Sequence, residues 1–413
     1  MSVFCPQVSV ILPVRNEAPF IEQALRAVLE QDYPRDLTEV IVADGMSEDG
    51  TREIVRELAA QEPRLRLLDN PWHITPAGLN LAIRAARGGV IVRVDGHGVL
   101  PPNYLRECVA CLEPADGRRR AEDEGQRSVV SGQKSEVSSQ WSVVSSQTAV
   151  GGAWDCVGRG ALGEAIALTV SSRFGVGGSR YRTCRAEDQP VLTDSVPFWA
   201  MRREVFERIG LFREEMLCHE DYEFSHRLRQ AGGRILLLPW LRSIYYVRPN
   251  LRALCRQYGR YGFWKGRFLR SHPGSLKPRH FAPPLFVLVL AMTAGWSLVS
   301  PVGLRCVGAL AGLYGVFLLV ATVLLAAFRS PSRHAPHPVD VAQASQPADS
   351  RGIPAAGPCS PGSVVQQPDA SRPLLVLLLV PFVLAALHLC WGTGVWLGLL
   401  RGPVPGEPPK LAA

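Results

Sequence analysis

Along the first hundred residues, short apolar runs alternate with stretches whose apolar residues recur at helical spacing. Val8–Val14 (VSVILPV), Glu39–Ala43 (EVIVA), Leu65–Asn70 (LRLLDN) and residues 88–96 (GGVIVRVDG) have the length and content of strands, the last expected to be buried on both faces. Between them Ile21, Ala24, Leu25 and Val28 share one helical face, as do Ile54, Val55 and Leu58. Thr75-Pro76 predicts a helix N-cap followed by proline at the first helical position. Strand–helix alternation of this kind predicts an α/β fold around an open, mostly parallel sheet, with ligands gathered at the carboxyl ends of the strands.

A second globular portion, residues 151–250, reads as a small-residue helix (GEAIALTVSSRFGVGGSRYR), then DSVPFWAMRREVFERIGLF, then CHEDYEFSHRLRQAGGRILLLP. The last of these predicts an acidic turn, an arginine-bearing helix, a Gly-Gly stop and a strand. Between the two halves, residues 114–150 are polar and carry three imperfect heptads, SVVSGQK, SEVSSQW and SVVSSQT. They are too polar and too few to build a core, and predict a low-complexity insertion. Residues 329–373, rich in Pro, Ala, Ser and Gln, predict a linker without fixed structure.

Hydrophobic residues make up 47% of the 413, and the excess falls after Phe281. Stretches 281–302, 306–328 and 374–400 each approach the ~20 residues a helix needs to cross a bilayer, predicting a hairpin of spans over 284–328, a third span over 374–400 and a short tail, 401–413. The chain enters its first strand without a basic leader, so residues 1–113 and the portion after the insertion are expected in the cytosol. Arg329, Arg333, Arg351 and Arg372 place the connector before the third span on the same side.

Charge refines this picture in one segment. Residues 251–283 hold no acid but contain Arg252, Arg256, Arg260, Lys265, Arg267 and Arg270, interleaved with Tyr258, Tyr261, Phe263, Trp264 and Phe268. Nucleic-acid binding would use such a mixture. Its position just before a membrane stretch argues instead for a segment at the headgroups. The ten cysteines are scattered. The lone Cys108–Cys111 pair has no partner pair at zinc-site spacing, so reduced thiols are the expectation.

The chemistry concentrates at strand ends. Asp44 closes the second strand, and the fourth runs into Asp95-Gly-His97-Gly. A turn supplies one account of such residues. The other is a carboxylate and an imidazole two residues apart, both able to face one cation.

Taken together, VSVILPVRNE, VADGMSEDGT, RVDGHG, SSRFGVGGSRYR, SVPFWAMRREVFERIGLF, HEDYEF and QYGRYGFWK resemble the family 2 glycosyltransferases, in the membrane-bound branch of succinoglycan biosynthesis. The resemblance implies a GT-A-like domain, a nucleotide-diphosphate sugar donor, a divalent metal (Mn²⁺ or Mg²⁺) and transfer with inversion. It assigns Pro13, Arg15, Asn16 and Glu17 to the donor loop and Asp44 to the base. The family's Asp-x-Asp falls on Asp95 and His97, toward donor and metal, and its acidic pair on Glu220 and Asp221, with Asp221 the general base. Its Gln-x-x-Arg-Trp segment falls on Gln257, Arg260 and Tyr261, near Trp264; Arg260 would reach the diphosphate and the others the acceptor or membrane side. Tyr261 in place of Trp weakens a processive reading. The expected function is hexose transfer, from UDP-glucose or a similar donor, to a lipid-linked saccharide in exopolysaccharide assembly. The setting is a bacterial-type cytoplasmic membrane, with other assembly proteins as partners and no nucleic acid. Direct transfer to a polyprenyl phosphate is the alternative within the class. A non-catalytic nucleotide-binding scaffold is the alternative outside it.

Overall fold

The computed structural model describes residues 5–112, 148–275, 277, 280–327 and 373–401. Nearly all of the repeat-bearing insertion and of the proline-rich linker lies outside them, although the strand that follows the insertion already begins at Ala149.

The sheet has nine strands: β1 (Val8–Val14), β2 (Thr38–Asp44), β3 (Leu65–Asp69), β4 (Val90–Arg93), β5 (Gly98–Val99), β6 (Ala149–Val157), β7 (Val191–Leu192), β8 (Ala200–Arg202) and β9 (Ile235–Tyr246). Their spatial order is β3-β2-β1-β4-β8-β6-β9-β5, with β7 also on β9. The first four pair in parallel, as the strand–helix alternation predicts. Beyond β4 the expectation of a mostly parallel sheet is corrected. β8 runs antiparallel to both β4 and β6, and β5 and β7 antiparallel to β9, while β6 and β9 are parallel. The second half lacks the strand–helix–strand rhythm that forces parallel crossovers.

β1 sits centrally, which explains its unbroken apolar run. Val8, Val10 and Leu12 enter one core with α1 (Ile21–Leu29), while Ile11 enters the other with α3 (Thr75–Ala85). α2 (Thr51–Gln61) contributes Val55 and α4 (Tyr104–Leu112) contributes Tyr104 to the first core. Thr75 is the first helical residue rather than the cap, which is Ile74, and Asn70 Nδ2 donates to the Ile74 carbonyl at 2.9 Å. The predicted small-residue helix breaks into three: α5 (Gly160–Val170), α6 (Arg173–Val176) and α7 (Arg180–Thr183). Glycines at 175, 177 and 178 make a continuous helix costly there. α8 (Arg203–Ile209) and α9 (Glu220–Gln230) complete the globular part.

α10 (Leu251–Ser271) follows β9 directly. It packs backbone to backbone against α13 (Pro373–Leu400), through Gly262 and Gly266 on one helix and Gly394 and Gly398 on the other. A Cβ at Gly262 would lie 2.2 Å from the Trp391 carbonyl oxygen, and one at Gly398 2.0 Å from that of Phe263. Small residues four apart on both helices are what permits so close an approach.

Among the described residues two helices are long and apolar enough to cross a membrane, α12 (Pro301–Ala327) and α13. The expectation of three spans is corrected: the first stretch forms α11 (Ala282–Ser297), whose 16 residues extend about 24 Å at 1.5 Å per residue, short of the ~30 Å hydrocarbon core. Leu304, Leu313, Val316 and Leu319 of α12 are exposed. A core helix of a soluble protein would bury such residues, so this surface suits lipid.

Candidate active site

A cleft of about 1040 Å³ opens where the sheet's carboxyl ends meet α9, α10 and the membrane-side helices. One wall is the loop after β1. Asn16 takes a left-handed backbone (φ 56°); its N–H donates to Ser47 Oγ at 2.8 Å, and its Oδ1 accepts from the Glu48 N–H at 3.0 Å. The Glu17 N–H donates to Thr51 Oγ1 and that of Ala18 to Asp49 Oδ2. The Arg-Asn-Glu loop is thereby bolted to Ser47–Thr51, so two of the sequence motifs form one structural unit. His73, also left-handed (φ 59°), accompanies Arg15 in this wall. Left-handed backbone in a residue with a Cβ costs on the order of 1 kcal/mol, and such sites gather where function holds them.

The Asp95-Gly-His97 turn leaves the sheet's centre and delivers the chain to β5 at its far edge. It therefore crosses the top of the strands. Gly96 is there for space: a Cβ would lie 2.9 Å from Val14 Cγ1 and 3.0 Å from Glu17 Cγ. That approach puts Glu17 Oε1 2.9 Å from His97 Nδ1. A carboxylate can only accept, so Nδ1 carries the proton and Nε2 is left for another partner. Burial opposes protonation of His97, but the hydrogen bond and charge of Glu17, with the charge of Asp95, outweigh it and raise its pKa.

Arg93, which the sequence reading passed over, organises the carboxylates. Its buried guanidinium donates to Asp95 Oδ1 at 3.0 Å and to Glu220 Oε1 at 3.2 Å. It joins the end of β4 to the start of α9 across 127 residues. Its signal in the sequence was a lone arginine inside an otherwise apolar strand. Glu220 is pushed up to about 7 by burial and the neighbouring charge of Asp221, against the pull of Arg93. Asp221 is half-buried and lines the cleft, and its Oδ1 accepts from the Tyr222 N–H at 2.7 Å. The two members of the acidic pair thus differ: Glu220 is tied inward, while Asp221 faces the open volume.

Asp44 stands apart from the other candidates. Fully buried, its carboxylate accepts from the Ser47 N–H (2.9 Å), Ser47 Oγ (2.5 Å) and Arg52 Nη1 (2.7 Å). Its neighbours Ala43 and Gly45 line the cleft, and its carboxylate braces the loop that follows β2. Arg15, Asn16, Glu17, Pro13, Asp95, His97, Glu220, Asp221, Arg260 and Tyr261 share the cleft. Arg260 caps the Leu217 carbonyl just ahead of the acidic pair. Gln257 donates to the Tyr261 hydroxyl at 2.9 Å from outside the lining. Trp264 is buried with Met216, Cys218 and Phe268 under the loop that precedes α9.

The far wall was not foreseen. Phe286, Tyr314, Phe317, Leu387, His388 and Trp391, from α11, α12 and α13, line the same cleft. His388 holds this wall to the globular part: Nε2 donates to the Phe174 carbonyl at 2.7 Å and Nδ1 accepts from the Tyr314 hydroxyl at 2.9 Å. Apolar periodicity identified these helices but could not show which face meets a cleft.

For a divalent cation, the available donors are Asp95 Oδ2 and His97 Nε2, since the other atoms of both groups are engaged by Arg93 and Glu17. Among the described residues no group of three or more His, Cys, Asp or Glu side chains could hold a metal alone. Two protein donors with the rest supplied by phosphate oxygens is a normal arrangement for Mg²⁺ or Mn²⁺, and the residues fit it.

Residues 9–210 match the model of glycosyl transferase family 2. The chain is 33% identical over 325 residues to the succinoglycan biosynthesis protein ExoA of Rhizobium meliloti (strain 1021), covering 75% of this chain and 84% of that protein. It is 21% identical over 267 residues to a dolichyl N-acetyl-alpha-D-glucosaminyl phosphate 3-beta-D-2,3-diacetamido-2,3-dideoxy-beta-D-glucuronosyltransferase of Methanococcus voltae, covering 64% of this chain and 74% of the relative. Among solved structures, the mannosyltransferase PcManGT of Pyrobaculum calidifontis, in complex with GDP-Man and Mn²⁺, aligns with a TM-score of 0.43 and 22% identity over 94% of this chain and 87% of its own. The chain belongs to the family 2 glycosyltransferases, in the branch of the succinoglycan biosynthesis protein. Its relatives act in exopolysaccharide and lipid-linked glycan synthesis.

Proposed function

We propose that this enzyme transfers a hexose, with inversion, from a nucleotide-diphosphate sugar such as UDP-glucose to a lipid-linked saccharide in exopolysaccharide assembly. It would work at a bacterial cytoplasmic membrane with the cleft on the cytosolic side. The observation that carries the reading is a single cleft that runs from the Arg15–Glu17 loop, past Asp95 and Asp221, to an aromatic wall on the membrane-side helices. A soluble acceptor would have no need of that wall.

In this reading Pro13, Arg15, Asn16 and Glu17 receive the nucleoside, and Asp44 holds the loop beside it through Ser47 and Arg52. Asp95 and His97 would hold the cation, which offsets charge developing on the leaving diphosphate. Arg260, on the cleft's other side, suits the same phosphates as a guanidinium. Asp221 takes the proton of the acceptor hydroxyl as that oxygen attacks the anomeric carbon. A single displacement opposite the leaving diphosphate inverts the centre, and no covalent nucleophile is required. Gln257 and Tyr261 shape the acceptor side, and Glu220 and Trp264 hold the loop that presents Asp221.

The test is sugar transfer by the full-length protein in detergent, with membrane-extracted lipid-linked acceptor. Asp221→Asn should lower kcat by roughly 10²–10⁴-fold, the range for a general base, while UDP still binds. Retained turnover in that variant would remove the proposed mechanism.

A further inference from the structure

Arg182 is a buried cleft-lining guanidinium whose setting the proposed mechanism leaves unexplained. It lies at the end of α7, 8% exposed. Its Cζ stands 4.8 Å from the ring centre of Trp154 and 5.6 Å from those of Tyr181 and Tyr245. Among the described residues no carboxylate pairs with it, whereas Arg93 and Arg242, buried to similar degrees, each hold an aspartate. Burying an unpaired cation is expensive, and three ring faces return only part of that cost. A fork of five N–H donors left over in a cleft, its rear covered by rings, is built to receive an oxyanion.

Position selects the oxyanion. Trp154 stacks on Tyr245 at 4.0 Å, and Tyr245, itself 5.6 Å from the guanidinium, meets the His97 ring edge-on at 5.3 Å, so one ring separates Arg182 from the metal-side turn. Tyr258, near enough for its hydroxyl to act on Arg182, is buried with Leu384 and Leu387 of α13, and the same lining includes Phe174, whose ring lies 6.1 Å from that of Phe317 on α12. Arg182 thus stands between the reacting centre and the apolar wall. A lipid-carried acceptor passes its phosphate at that junction, between sugar and hydrocarbon.

Resting on the function proposed above, we propose that Arg182 is the acceptor-phosphate site: its guanidinium binds the phosphoryl group linking sugar to polyprenyl chain, and the chain lies along Phe286, Phe317 and Leu387. Trp154 and Tyr245 hold the fork flat and keep water from its rear face.

The experiment measures equilibrium binding to the full-length protein in detergent, with four probes: farnesyl diphosphate, farnesol, inorganic pyrophosphate and UDP. For the wild type, farnesyl diphosphate should bind at least tenfold more tightly than farnesol and than pyrophosphate. Equal binding of farnesol and farnesyl diphosphate overturns the proposal without recourse to any variant. Pyrophosphate binding as tight as farnesyl diphosphate overturns the lipid source in favour of a free phosphate. Arg182→Gln should weaken farnesyl diphosphate at least tenfold and UDP less than twofold, and Arg182→Lys should fall between. If UDP is the probe lost in Arg182→Gln, the residue serves the donor and the proposal fails. If wild-type protein transfers sugar while farnesyl diphosphate binding ignores the substitution, this inference fails and the proposed function stands. Absence of both UDP binding and transfer in the wild type would instead remove the function beneath it.

Discussion

Replacing Arg93 with Met tests the arrangement that brings the acids together. The side chain is 9% exposed and bridges Asp95 at 3.0 Å and Glu220 at 3.2 Å. Met keeps much of the volume and removes the charge. Glu220 would then be a buried carboxyl beside Asp221 without the cation that now opposes its charge. Removing one partner of a buried pair costs about 3–5 kcal/mol, because the remaining charge is stranded. At roughly 2–4 °C per kcal/mol for a domain of this size, the Tm should fall by about 6–20 °C. Relief comes by neutralising the stranded partner: Arg93→Met with Glu220→Gln should recover 1–3 kcal/mol of that loss, the usual coupling between contacting residues. The assay is thermal unfolding followed by tryptophan fluorescence in detergent, at pH 7.5. A Tm within about 2 °C of wild type for Arg93→Met, or no recovery in the double variant, would refute the view that a buried cation assembles the acidic centre.

Three further outcomes follow from the structure. Because burial raises the Glu220 pKa to about 7 from an ordinary 4.5, the native state holds that proton where the unfolded chain has lost it. Its contribution is therefore fully present below about 4.5 and lost as pH rises through about 7; denaturant midpoints from pH 5 to 8 should fall more steeply for wild type than for Glu220→Gln, and parallel curves would contradict the assignment. Gly266→Val sets a side chain where a Cβ alone would lie 2.2 Å from the Val395 carbonyl oxygen. It should part α10 from α13, seen as faster proteolysis around residue 270 and loss of transfer, whereas Gly274→Ala, with open space around it, should match wild type. Chelation by EDTA should abolish transfer and Mn²⁺ or Mg²⁺ restore it, with farnesyl diphosphate binding left unaffected; metal-independent turnover would remove Asp95 and His97 from that role.

Sequence pattern carried the first half of the fold because β1, β2 and β4 are buried on both faces and the first four strands are separated by helices, so period and length agree. It carried less of the second half. Strands β5, β7 and β8 are two or three residues long, too short for any period, and their antiparallel pairing depends on partners distant in the chain. At the site, motif spacing picked out Glu17, Asp95, His97 and Asp221, which share one cleft because they sit in turns at the strand ends and ahead of α9. It could not show the surroundings of Asp44, because a strand-end aspartate can turn either to the cleft or to Ser47 and Arg52, and tertiary packing chooses. Arg93 and Arg182 escaped notice since burial of a guanidinium cannot be read from its neighbours. Trp264 looked interfacial because a basic, aromatic helix is equally suited to headgroups and to a glycine-faced partner.

The grip of α13 on α10 bears on how this enzyme can be prepared. Leu387, His388 and Trp391 belong to the lining of the cleft, so the last long helix is a wall of the reaction chamber as well as a hydrophobic anchor. Trimming the protein after the globular portion to gain solubility would open that chamber to solvent and strip the glycine face of α10. Such a fragment would be an incomplete enzyme, and its inactivity would say nothing about the acids that remain.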